Sequence, residues 1–193
     1  MGTRGFIGFV IDKEEKLTYN HWDSYPSGLG AEFLAWLREK VEKQPVTLQT
    51  QVAQLRMVTD EDPVTGKDIE HLKQFHNVNV STGSELEWYS LLRETQGKPE
   101  AILEAEVALD AGDFPLDSLF CEWGYLVDLD NNTFEVYQGF QKQAHDEGRF
   151  ADRHVDEERR GDSQYYPVKL VASWLLDELP TEQEMTDLER SEK

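Results

Sequence analysis

Cysteine is almost absent from this chain, since Cys121 is the only one among 193 residues. A single cysteine excludes an intrachain disulfide and argues against a secreted, disulfide-stapled scaffold. Long apolar runs are also missing, because no stretch approaches the roughly 20 apolar residues that span a bilayer. The first residues lack the basic segment and apolar run of a signal peptide. We therefore expect a cytoplasmic protein that does not enter a membrane.

Basic residues are scarce relative to acidic ones. The chain has 19 Lys and Arg against 39 Asp and Glu, which gives a formal net charge of −20. The negative electrostatic potential of such a chain repels nucleic acid and anionic membranes, and it favours partners with a basic surface. A charged surface that only keeps the protein soluble, or a salt-adapted host, would explain the same composition. Direct binding of nucleic acid is disfavoured, because the sequence contains no stripe of basic residues.

The apolar content predicts one folded domain. Hydrophobic residues make up 38% of the chain and aromatic residues 11%, and no repeat or Gly/Ser linker divides it. We expect a single α+β domain over residues 1–180, followed by an acidic, mobile tail over residues 181–193. Its antiparallel sheet would comprise an amino-terminal hairpin, a late hairpin and a final strand, with helices packed on it.

Apolar and alternating runs predict strands at residues 5–11, 16–19, 119–129, 134–140 and 167–174. The turn Asp130-Asn131-Asn132 favours a tight hairpin. Helical spacing predicts helices at residues 31–44, 46–55, 68–75, 84–96 and 99–109. Ser84 and Glu87 have the spacing of a capping box. Residues 141–164 form a long polar segment, which is typical of a lid or a contact loop.

The most distinctive polar segment is the loop that follows the first hairpin and leads into a helix. Its candidate ligand-binding residues are Tyr19, His21, Asp23, Ser24, Tyr25, Ser27, Gly28 and Gly30. Backbone N–H groups at a helix start attract anions, and Arg4 and His21 would add positive charge. A turn with capping residues and hydrogen-bonded tyrosines explains the same loop without a ligand.

Other catalytic or metal-binding patterns are weak. Cys121 could be a nucleophile, but its neighbours Phe120 and Trp123 favour packing. No metal-binding spacing occurs among the histidines, and we expect neither a metal nor another cofactor. Asp128-x-Asp130-x-Asn132 begins like a calcium loop, but Thr133 stands where glycine is required, so a hairpin turn explains it better.

Four segments resemble a family of small uncharacterised proteins from actinobacteria and their phages. They are TRGFIGFV, TYNHWDSYPSGLG, LLRETQG and SLFCEWGYLVDLDNNTFEVYQGF. The family implies no activity. A strand that starts near residue one and a late hairpin are distantly similar to N-terminal-nucleophile hydrolases. Those enzymes expose Cys, Ser or Thr as residue one, whereas this chain begins Met1-Gly2-Thr3.

Two functions follow as hypotheses. The first is a non-enzymatic, acidic interaction protein, a regulator or inhibitor of a basic-surfaced protein such as a nucleic-acid enzyme. The alternative is a small hydrolase or an anion- or ligand-binding enzyme that uses residues 19–30, with His21 as acid/base and Arg4 as anion contact. The sequence leaves the oligomeric state open.

Overall fold

The computed structural model describes residues 2–153 and 165–190, and its centre is a five-stranded sheet. The strands are β1 (Gly5–Ile11), β2 (Glu14–Asn20), β5 (Trp123–Asp128), β6 (Thr133–Gln138) and β7 (Lys169–Leu175). They lie in the order β2-β1-β5-β6-β7. The α+β class is therefore confirmed, and both hairpins occur where the sequence predicts them. The sheet is mostly antiparallel, but β1 and β5 pair in parallel, which the prediction of an antiparallel sheet did not include.

The parallel pairing brings the turns of the two hairpins side by side. Asp12 and Lys13 form the first turn with positive φ angles of 52° and 66°, which suits the twist of a tight hairpin. Their backbone N–H groups donate to the Asp130 carboxylate, over 2.9 and 2.8 Å. One aspartate of the second turn thus caps the first turn and aligns the two hairpins.

Helices surround this sheet. Their bounds are α1 (Ala31–Lys43), α2 (Pro45–Gln54), α3 (Gly66–Leu72), α4 (Trp88–Leu91), α5 (Pro99–Ala105) and α6 (Glu182–Asp187). A tight helical turn, Pro26–Gly30, leads directly into α1. Two short strands, β3 (Arg56–Val58) and β4 (Val107–Leu109), form a separate parallel pair. Helix α5 was expected to reach residue 109, but Glu106 adopts a left-handed conformation and ends it.

Both faces of the central sheet are buried, because alternate side chains of β1 point to opposite sides. Ile7 and Phe9 belong to the larger core, which includes residues of α1, α2 and α5. Phe6 and Val10 belong to a smaller core on the other face, which Phe150 helps to cover. A third core joins β3 and β4 to α3 and α4.

An arginine attaches the long polar segment to the smaller core. Arg149 makes ion pairs with Asp128 and Glu135, both at 2.7 Å, and approaches Glu15 at 3.7 Å. Burial acts to raise the pKa of Asp128, but hydrogen bonds from Arg149 and Asn131 outweigh it and lower that pKa. Arg149 and the completely buried Phe150 therefore attach the segment to the sheet, and residues 154–164 lie outside the described part of the chain.

Two further expectations also differ from the structure. Helix α4 begins at Trp88, and the Glu87 carboxylate accepts hydrogen bonds from Ser81 and Thr82 instead of forming a capping box with Ser84. Residues 181–190 are packed instead of forming a free tail. Thr181 and the third residue of α6, Glu184, form a capping box, and the side chain of Met185 is completely buried.

Candidate functional site

The loop between β2 and α1 is held in place by Ser24. Its backbone N–H donates to the Thr3 carbonyl over 3.1 Å, and its own carbonyl accepts the Tyr125 hydroxyl over 2.9 Å. The Asn20 side chain donates to Ser24 Oγ over 2.8 Å. Ser24 is completely buried. The structure therefore makes Ser24 an anchor of the loop, not a residue that a ligand could reach.

The glycine-containing turn bonds mainly to itself. The N–H groups of Gly28 and Gly30 both donate to the Tyr25 carbonyl, over 3.0 and 3.1 Å. The Leu29 N–H donates to the Asp23 carbonyl over 2.9 Å. These backbone groups were predicted to hold an anion, but they are already satisfied within the loop. Gly30 serves close packing, because a Cβ there would lie only 2.9 Å from the Tyr125 ring.

The side chains between these anchors are exposed at an open cleft of about 490 Å³. Trp22 keeps 52% of its surface exposed and Tyr25 keeps 38%. Asp23 and Ser27 are exposed beside them. The cleft is lined by Asn20, Trp22, Asp23, Tyr25, Ser27, Gly28, Leu29, Glu32, Arg93, Gln96, Gly97 and Lys98. Four predicted site residues, Asp23, Tyr25, Ser27 and Gly28, thus line one cleft.

Helix α6 continues this surface. The Glu189 carboxylate, just after α6, accepts from the Ser27 hydroxyl over 2.6 Å. Ser27 also lines a second open groove of about 420 Å³ with Thr186, Glu189 and Arg190. We name the surface formed by Trp22, Asp23, Tyr25, Glu32 and Glu189 the aromatic–acidic face.

The far wall of the cleft comes from the segment between α4 and α5. Lys98 pairs with Glu94 at 3.3 Å, and Arg93 donates to Gln96 Oε1 over 2.6 Å. Sequence reasoning missed Glu32, Glu189 and these two basic residues as site residues. No local motif marks them, because tertiary packing brings them to the loop.

Tyr19 and His21 form a hydrogen-bonded pair next to the loop. The Tyr19 hydroxyl and His21 Nδ1 are 2.6 Å apart, and the Tyr19 ring packs edge-on against Phe114. Burial raises the pKa of Tyr19. Burial, Arg93 and Arg4 together lower the pKa of His21. Neither side chain lines the cleft, and Ser24 and Gly30 are buried, so the predicted site residues fall into three groups.

Cys121, for which the sequence favoured packing over a role as nucleophile, and Thr3 are both inaccessible. Cys121 is completely buried, and burial raises the pKa of its thiol well above the usual value. Thr3 is also buried, with its carbonyl bonded to Ser24. Within residues 2–153 and 165–190, no cluster of three or more His, Cys, Asp or Glu could hold a metal ion.

Comparison of the chain with protein-family models, with curated proteins and with solved structures finds no match. In the part of the chain that the structure describes, no helix has the length and apolar character needed to cross a membrane. Arguments about function therefore depend on the geometry of the site itself.

Proposed function

We propose that this protein is a binding module that recognises a basic-surfaced protein partner through the aromatic–acidic face. A single observation carries the proposal: Trp22 and Tyr25 are exposed on a loop that Ser24 anchors in the core. A large aromatic side chain has an unfavourable contact with water, and burying it against a partner releases that cost. Trp and Tyr dominate the binding energy of protein interfaces for this reason.

The rigidity of the loop favours binding as well. Ser24 and the internally bonded turn Pro26–Gly30 hold the backbone on both sides of Tyr25. The Trp22 ring packs at 4.4 Å from the His21 ring, centroid to centroid. A preorganised loop loses little conformational entropy when a partner binds, so more of the contact energy becomes affinity.

The carboxylates beside the two aromatic side chains favour a basic partner. The cations on the far wall of the cleft, Arg93 and Lys98, are engaged by Gln96 and Glu94. Asp23 and Glu32 are exposed at the cleft, and Glu189 borders it through Ser27. Lysine and arginine side chains interact favourably with aromatic faces and with carboxylates. The net charge of −20 would also accelerate the approach of a positively charged surface. On this account the protein occupies a basic surface of its partner and regulates or inhibits it.

Affinity capture from the native cells tests the proposal. The bait is the tagged full chain, compared with a Trp22→Ala/Tyr25→Ala double variant, and the retained proteins are identified by mass spectrometry. We expect the wild type to retain a stoichiometric basic protein that high salt releases. The double variant should retain at least tenfold less, because both anchors are gone.

A matched control comes from two other exposed aromatic side chains. Phe120 and Phe140 keep 47% and 45% of their surfaces exposed and do not line the cleft. A Phe120→Ala/Phe140→Ala variant should retain the partner as the wild type does. Equal retention by the Trp22/Tyr25 variant, or a partner held equally well in high salt, would contradict the proposal.

A further inference from the structure

We propose that the outer edge of strand β7 is an interface at which two copies of this chain pair in antiparallel fashion, about a two-fold axis at Ser173. Strand β7 (Lys169–Leu175) is the last strand of the five-stranded sheet, beyond β6. The cleft of the aromatic–acidic face lies elsewhere, since its lining comes from residues 20–32 and 93–98. The inference therefore does not depend on the proposed protein partner.

One hydrogen bond fixes the direction of the backbone groups of β7. The Leu176 N–H donates to the Asn132 carbonyl over 2.9 Å, immediately after the pair Leu175–Thr133 of the β6–β7 ladder. In an antiparallel ladder, successive residues alternate between bonding the neighbouring strand and pointing away from it. The N–H groups of Ser173 and Leu175 and the Ser173 carbonyl therefore point away from β6, to the outer side of the sheet.

Only the second half of this edge is open. The Leu170 N–H donates to the Glu147 carbonyl over 3.2 Å, so the chain at Glu147 covers the first half. A bulge at Val171 lies at the same end, and bulges are one device by which natural proteins blunt the edges of sheets. Within the described residues, no backbone group outside the sheet bonds to Ser173. Unpaired strand groups of this kind are a template for another strand.

The open stretch is uncharged, although the chain is strongly acidic. Residues 171–175 read VASWL, and Leu175 keeps 49% of its surface exposed. Leu175 also lines an open groove of about 480 Å³, whose apolar wall includes Val41, Pro45, Leu48, Leu129 and Leu176. Natural edge strands that face water commonly carry charged residues, which prevent pairing. The lack of charge here favours an edge that another strand covers.

The open stretch fits a second copy of itself. Antiparallel pairing about Ser173 joins the Ser173 backbone groups of the two copies by two hydrogen bonds. It also brings Leu175 of each copy opposite Val171 of the other, which buries apolar surface at both ends. Each strand then enters its turn at Leu176, which is the position where it would otherwise meet Glu147 of the other copy.

The charges at the two ends of the strand are complementary. Lys169 pairs with Glu147 only at 3.9 Å, and Asp177 is exposed just beyond the strand. Both lie four residues from Ser173, so the two-fold axis brings Lys169 of each copy towards Asp177 of the other.

The net charge of −20 makes the two copies repel each other at long range. Salt screens this repulsion, whereas it leaves the backbone and apolar contacts of the edge in place. The dimer should therefore strengthen as salt rises. Binding of a basic partner should weaken under the same change, so the two proposals can fail separately.

Sedimentation equilibrium of the full chain at low and high salt tests the proposal. We expect a reversible dimer that high salt strengthens. Ser173→Pro removes an outward N–H without removing a bond to β6, and it should weaken the dimer by about tenfold or more, because both central hydrogen bonds are lost. Ser173→Ala keeps the N–H and should associate as the wild type does. Thermal unfolding followed by circular dichroism checks that each variant is folded.

Two charged variants test the axis even if the proline variant does not fold. In Ser173→Lys and in Ser173→Glu, like charges meet at the axis and should weaken the dimer by about two- to fivefold. An equimolar mixture of the two should restore association, because Lys then meets Glu.

The proposal is overturned if the wild type stays monomeric at millimolar concentration in high salt, or if salt dissociates its dimer. It is equally overturned if a folded Ser173→Pro variant associates like the wild type, or if the mixture associates no better than its components. A monomeric wild type that loses the captured partner on Ser173→Pro substitution would assign the edge to a strand of that partner, against the proposal.

Discussion

At the scale of single residues, neighbouring positions of the site loop have opposite roles. Trp22 and Tyr25 are exposed, whereas Ser24 between them is completely buried. Three hydrogen bonds, to Thr3, Asn20 and Tyr125, hold Ser24 in the core. The loop therefore exposes its aromatic side chains, because Ser24 between them anchors the backbone in the core.

The hydroxyl of Tyr125 can be removed without changing the shape of its ring. Tyr125→Phe should destabilise the fold by about 1–2 kcal/mol, because the buried Ser24 carbonyl loses its donor. Urea unfolding followed by circular dichroism measures this loss. Tyr25→Phe is the matched control, since Tyr25 is partly exposed, and it should change stability by less than about 0.5 kcal/mol. Equal effects of the two changes would contradict the anchoring role of Ser24.

The lowered pKa of His21 has a consequence for stability. The unfolded chain takes up a proton near the usual pKa of about 6.5, whereas burial, Arg93 and Arg4 oppose protonation of the folded form. The unfolded state therefore binds more protons below about pH 6.5, and the folded state loses stability as the pH falls through this range. Denaturant titrations at pH 7.5 and 5.5 measure the loss, which His21→Gln should make smaller. An unchanged loss in that variant would show that His21 does not cause it.

The sequence predicted the loop as the site but not which of its side chains would be accessible. Residue type alone does not distinguish Ser24 from Ser27, although one is buried and the other exposed. The difference arises from contacts with Thr3 and Tyr125, which are distant in sequence from the loop. Arg93 was missed for the same reason, since only tertiary packing brings it to the cleft beside the loop.

At the scale of elements, charged side chains attach surface segments to the sheet. Arg149 fastens residues 141–153 to the end of β5 and to β6. Lys16, on the edge strand β2, is buried and donates to the carbonyls of Val52, Ala53 and Leu55 at the end of α2. The hairpin turns were predictable from local sequence, but neither attachment was, because each joins elements far apart in the chain.

Replacement of Arg149 should destabilise the protein strongly. Arg149→Met leaves Asp128, which is 2% exposed, and Glu135 without their cation. Breaking a buried ion pair by removing one partner costs about 3–5 kcal/mol. Urea unfolding at neutral pH is the measurement, with Arg190→Met as control, because Arg190 pairs with Asp187 on the exposed surface. A loss as small as that of the control would contradict the role assigned to Arg149.

Lys16 provides an equivalent prediction for α2. Lys16→Met keeps most of the buried hydrocarbon but removes the ammonium donor from the Leu55 carbonyl, just after α2, and leaves the Val52 carbonyl with the Leu55 N–H alone. We expect a loss of about 1–3 kcal/mol in the free energy of unfolding. Lys13→Met, at an exposed turn position, is the control and should have little effect in the same denaturant titration. If Lys16→Met and Lys13→Met lose the same free energy of unfolding, Lys16 does not hold α2 against the sheet.

At the scale of the whole molecule, the fold joins a strongly acidic composition to a face that exposes two aromatic side chains. The aromatic–acidic face combines exposed aromatic side chains with carboxylates from the loop, α1 and the end of α6. The charge was evident from the sequence, whereas the aromatic–acidic face depends on how α1 and the segment after α6 pack beside the loop.

The salt dependence of binding to the captured partner tests the central claim most directly. Dissociation constants would be measured at low and high salt for the wild type and for an Asp23→Asn/Glu32→Gln variant. We predict that the wild-type affinity falls steeply as salt rises, and that the variant binds more weakly at low salt with a shallower dependence. A wild-type affinity that does not change with salt, or the same salt dependence in the variant, would contradict recognition of a basic partner through the aromatic–acidic face.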